Sequence, residues 1–146
     1  MSRIVTISGT ITSTDFSAVV GAEIWIDQTC VLDVEHVDQV YTWQYQMPAS
    51  VEGQHRVRYV MKGKNNSHVE MDSSGQIVKE VSLQFTELKF DDLDIQQMSL
   101  GSSVYTHDFN GNGLTTTENY GGYAGCNGTI DIYFSLPYYI WYLENR

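Results

Sequence analysis

Val40-Tyr-Thr-Trp-Gln-Tyr-Gln-Met47 alternates with a period of two along its whole length. Tyr41, Trp43, Tyr45 and Met47 share one parity; Thr42, Gln44 and Gln46 share the other. Successive side chains of a β-strand point to opposite faces, so this stretch predicts a strand with one aromatic face and one polar face. The same rule finds further strands on both sides of it. Upstream, Val5, Ile7 and Ile11 alternate with Thr6, Ser8 and Thr10, and Ser13-Thr-Asp-Phe-Ser17 breaks the pattern with turn formers. Ala22, Ile24 and Ile26 then oppose Glu23, Trp25 and Asp27, and Val31 to Val37 either extends that strand or pairs back on it.

Downstream, Val57, Tyr59 and Met61 oppose Arg56 and Arg58, and two polar turns follow at Lys62 to Ser67 and Asp72-Ser-Ser-Gly75. Ile77, Val81, Leu83 and Phe85 hold odd parity, Leu88 and Phe90 are even, and Leu93 and Ile95 are odd again. Two phase switches in one extended segment predict β-bulges or a strand that crosses between sheets. Residues 101–125 read as a long Gly/Asn-rich loop and residues 129–143 as an aromatic C-terminal strand. No window of helical length carries a sustained 3.6-residue apolar stripe. The expectation is therefore all-β: one antiparallel β-sandwich, jelly-roll-like, over residues 1–146, with a small β-barrel as second choice.

Charge narrows the class of partner. Lys+Arg 8 against Asp+Glu 18 gives a net charge of −10. Such a surface disfavours nucleic acid and anionic membranes, which call for clustered cations, and suits cations or neutral sugars. The N-terminus alternates like a strand and shows no apolar signal core, and no apolar run approaches the ~20 residues of a membrane span. Cys30 and Cys126 form no CxxC pair, so one disulfide and two free thiols both stand.

Catalytic patterning is missing from the sequence, and a non-enzymatic protein is expected. His36, His55, His68 and His107 have no metal-ligand spacing, and the adjacent His107 and Asp108 would need a turn to meet. The densest polar run is Tyr105-Thr-His-Asp-Phe-Asn-Gly-Asn-Gly113. Asp108, Asn110 and Asn112 at alternate positions, with Glu118 beyond, could place several oxygens on a calcium ion. The twelfth position of an EF-hand loop would fall on Asn119, so the alternative is an Asx-rich turn. Aromatic rings that sugars could stack on are Trp25, on the polar face of its strand, and Tyr41, Trp43 and Tyr45, at ~7 Å intervals on theirs. For Tyr41, Trp43 and Tyr45 the core is the stronger reading, since a sandwich core is filled from one face of each strand, which leaves Trp25 the better candidate for stacking. The tail, with Tyr138, Tyr139, Trp141 and Tyr142 on both faces of an expected strand, points to an assembly interface.

Gly21-Ala-Glu-Ile-Trp-Ile-Asp27, Glu52-Gly-Gln-His-Arg-Val57, the Asn65-Asn66 segment and Lys79-Glu-Val-Ser-Leu-Gln-Phe85, running to Asp92-Leu-Asp-Ile95, follow one another in a telling order. That order resembles the small calcium-dependent xylan-binding modules of the carbohydrate-binding β-sandwich class. The resemblance implies a β-sandwich and, with it, calcium and a polysaccharide ligand. Domains of this kind also look like those found in tailed-bacteriophage virion proteins. The leading expectation is thus a structural virion protein that forms homo-oligomers, contacts other virion proteins and binds surface glycans. A stand-alone, extracellular calcium-dependent carbohydrate-binding module is the alternative.

Overall fold

Strand β1 (Ile4–Ser13) buries every second residue, and Val5, Ile7 and Ile11 are almost wholly enclosed. It lies between β4 (Tyr41–Pro48) and β8 (Leu83–Phe90), with the short β9 (Leu93–Asp94) completing a four-stranded sheet in the order β4-β1-β8-β9. The second sheet contains β2 (Gly21–Ile26), β3 (Thr29–Val34), β5 (Gln54–Lys62), β10 (Val104–His107), β11 (Thr116–Glu118) and β12 (Gly128–Ser135). Its six strands run in the order β11-β10-β12-β5-β2-β3. A separate hairpin pairs β6 (Val69–Met71) with β7 (Ile77–Glu80). The structure, a computed structural model, describes residues 3–65, 69–71, 73–108 and 114–146.

The two large sheets form an antiparallel β-sandwich and do not close into a barrel. Their inner faces supply the core: Ile7, Ile11, Leu83, Phe85, Leu88 and Phe90 from one sheet face Ile24, Val57, Tyr59, Ile130, Ile132 and Phe134 from the other. Tyr59 and Phe85 stack flat across the gap, with centroids 4.5 Å apart and planes at 4°. Burial holds the Tyr59 phenol above its ordinary range, so the hydroxyl stays protonated in the core.

Each expected phase switch has a backbone cause. Glu87 adopts φ 58° and Asp91 φ 53°. At Glu87 the β1–β8 register slips between Ser8 and Thr10, so Gly9 faces the bulge. The Gln96 side chain bridges this irregularity, accepting the Leu88 N–H at 3.0 Å and donating to the Phe85 carbonyl at 3.1 Å. At Asp91 the chain turns into β9, and the Asp91 carboxylate accepts the Thr6 N–H, pairs with Arg3 at 3.5 Å and meets the Tyr138 hydroxyl.

Two segments depart from the expectation of an all-strand chain. Residues 101–125 are not one loop: helix α1 (Gln96–Ser102) runs into them, and β10 and β11 form a hairpin within them. The aromatic strand expected over 129–143 ends at Ser135. After a cis peptide before Pro137, Tyr138–Asn145 forms helix α2. A helix lets Tyr138 and Trp141, one turn apart, pack together against Phe90, whereas a strand would have split them between faces.

Candidate functional site

Outward parity on the six-stranded sheet brings together residues far apart in the chain. In register, Trp25 lies beside Arg58, Arg58 beside Asp131, and Arg56 beside Tyr133. Trp25 is half-buried, and its indole N–H donates to Glu23 Oε1 at 2.7 Å, which fixes the ring. A hollow of about 340 Å³ opens here, lined by Glu23, Trp25, Asp27, Arg56, Arg58 and Thr129 among others. A smaller one of about 150 Å³ adjoins it, lined by Asp27, Gln54, His55, Arg56 and the exposed Tyr133. Asp27 and Arg56 border both.

Ion pairs hold this surface in shape. Arg58 grips the buried Asp131 with two parallel bonds, Nε to Oδ1 at 2.7 Å and Nη2 to Oδ2 at 3.0 Å, and this pairing holds the guanidinium above its ordinary range. Lys62 Nζ collects Glu23, Asp33 and Glu35 at 3.0, 2.5 and 3.0 Å. These hydrogen bonds, led by that to Asp33, raise the Lys62 ammonium well above the usual lysine range. The carboxylates that cluster here therefore close on an internal cation.

Asp27 sits in the left-handed region at φ 51°, where its carboxylate accepts the Arg56 N–H at 2.9 Å and contacts His55 Nδ1 at 2.8 Å. The other ring nitrogen of His55 meets the Val51 carbonyl at 3.0 Å. With both nitrogens engaged and 6% of the residue exposed, His55 acts as a strut under the β2–β3 turn.

The other residues singled out from sequence are placed as follows. Tyr41, Trp43 and Tyr45 turn toward the interior; Trp43 is only 6% exposed and packs edge-on against Tyr59, while Tyr41 and Tyr45 are half-buried against the core. Of the residues expected to hold calcium, Asn110 and Asn112 lie outside the described residues. Glu118, on β11, stands opposite Tyr105, and its carboxylate is 3.5 Å from His107 Nε2. Among the described residues no three His, Cys, Asp or Glu side chains converge to hold a metal ion. In the tail, Trp141 is buried and Tyr138 packs on Phe90, while Tyr139, Ile140 and Leu143 are exposed. Cys30 and Cys126 are free thiols, both raised by burial.

The sequence singled out Trp25 but missed the grouping around it. Asp131 and Arg58 are 73 positions apart, and only the strand pairing joins them. The available signal was parity: Arg56 and Arg58 share the polar face of their strand.

No family profile matches the chain, and no curated protein matches it. Among solved structures, the fold is similar to that of the selenomethionine form of vCBM60, described as belonging to calcium-dependent carbohydrate-binding modules. The TM-score is 0.53 at 14% identity, covering 88% of this chain and 89% of that one. The likeness is one of fold. A second structure, vCBM60 in complex with galactobiose, aligns at TM-score 0.47 and 19% identity over 87% of this chain and 96% of that one. The chain thus has a carbohydrate-binding-module-like fold, and the virion setting expected by resemblance finds no support in the fold or the comparisons.

Proposed function

We propose that the protein is a non-catalytic glycan-binding module that binds through the outer face of its six-stranded sheet. The observation that carries this reading is Trp25: an indole fixed by Glu23, at the wall of an open hollow bordered by guanidinium and carboxylate groups. The C–H face of a sugar ring is complementary to the electron-rich face of an indole, and its hydroxyls bond to flanking charged groups. Tyr133 lies two strands across from Trp25 and two residues along, about 12 Å away by strand spacing and rise, a span suited to a short oligosaccharide. The fold shared with a calcium-dependent carbohydrate-binding module supports the functional class.

Binding at this face is expected not to require calcium, because Glu23 and Asp131 already have cationic partners in Lys62 and Arg58. Titration calorimetry against a panel of neutral oligosaccharides, with and without EDTA, tests both points. Trp25→Ala is expected to weaken binding at least about tenfold, with little change in thermal stability since the ring is half-solvated. Binding that survives Trp25→Ala would move the ligand elsewhere. Binding lost on chelation would give the metal a role that this face does not provide.

A further inference from the structure

On the same face Arg56 stands apart from its neighbours. Its Nε is enclosed and has no hydrogen-bond partner. The nearest carboxylate, Asp131, is 3.9 Å away, and both oxygens of that group are already taken by Arg58. The enclosed Nε is out of a ligand's reach, so the exposed part of the side chain is what can take an acceptor from outside. About a quarter of the Arg56 side chain is exposed (27%), and the residue borders both hollows, on the path between Trp25 and Tyr133. Strand β5 also places Arg56, Arg58 and Lys62, three of the chain's eight Lys and Arg residues, on one outer face. Arg58 and Lys62 are closely matched by internal carboxylates, whereas Arg56 has the longer 3.9 Å pairing with Asp131.

We propose that Arg56 is an anionic subsite: it takes the carboxylate of a uronic acid residue in a glycan that lies between Trp25 and Tyr133. The inference rests on the glycan-binding reading above. A planar carboxylate matches the guanidinium fork, which is why arginine serves such pairs better than lysine does. The net charge of −10 opposes an anionic ligand at a distance. Salt screens that field beyond ~10 Å, so the local pair decides.

The experiment compares three matched tetrasaccharides by calorimetry: a neutral oligomer, a uronate oligomer, and the methyl ester of that uronate. The uronate is expected to bind about tenfold more tightly than its ester, as a charge-assisted pair replaces a neutral one. Arg56→Gln should abolish the preference for the uronate over its ester, and Arg56→Lys should keep part of it. Circular dichroism and melting temperature confirm that both variants fold. Equal binding of uronate and ester by the unaltered protein, or an Arg56→Gln variant that keeps the full uronate preference, overturns the subsite. If neutral oligomers bind through Trp25 and the carboxylate makes no difference, only this inference fails. If no oligosaccharide binds, the glycan reading falls and the subsite with it.

Discussion

The two sheets are built by one alternation rule, yet their outer faces differ in kind. The four-stranded sheet has the larger hollow, about 430 Å³ against about 340 Å³, lined by Ser8, Thr10, Thr42, Glu87, Lys89 and the largely buried Trp43 among others. Its aromatics went inward: Trp43 lies on Gly9, where a Cβ would come within 2.8 Å of the indole. The six-stranded sheet instead fills its inner face with aliphatics, Tyr59 and Phe134, and leaves Trp25 and Tyr133 outside among paired charges. Volume would select the first face and chemistry selects the second. A ligand needs a fixed apolar platform beside oriented polar groups, and only the second face pairs an outward aromatic with both signs of charge.

Three substitutions would break or sharpen that contrast. The largest effect is expected at Asp131, enclosed beneath Arg58. Asp131→Asn leaves the guanidinium without its counter-charge and should cost about 2–3 kcal/mol in a denaturant titration, toward the low side for a buried pair because Arg58 keeps part of its side chain in water. A loss within experimental error would mean that the charged face is not preorganised. Next comes Gly9→Ala on the other sheet. The added methyl must displace the Trp43 ring, and overpacking of this kind costs about 1–3 kcal/mol. A neutral result would show that the indole can shift, and hence that this sheet too could turn an aromatic toward a ligand. The smallest effect is expected for Glu87→Gln, which alters an exposed contact to Thr10 at 2.8 Å; thermal melting should register less than about 0.5 kcal/mol. A large loss there would equalise the two faces.

Much of the sandwich could be read from parity. Strands β1, β2, β4 and β5 lie where alternation placed them, and the switch between Phe85 and Leu88 marks the bulge at Glu87. The helices could not be read so. In Tyr138-Tyr-Ile-Trp-Tyr-Leu143 every residue is large and apolar or aromatic, so no period stands out, and the packing against Phe90 settles the conformation. Helix α1 has seven residues, including Gly101 and two serines, too short for a periodic stripe. For the site, the outward position of Trp25 was legible, but the Arg58–Asp131 and Asp27–His55 pairs were not. They depend on which strands become neighbours and in what register, and that is set by long-range pairing across the whole core.

Asp91 gathers the beginning of the first strand, through Thr6 and Arg3, and the beginning of the last helix, through Tyr138. One carboxylate therefore ties the entry to the first strand to the start of the last helix at one corner of the sandwich.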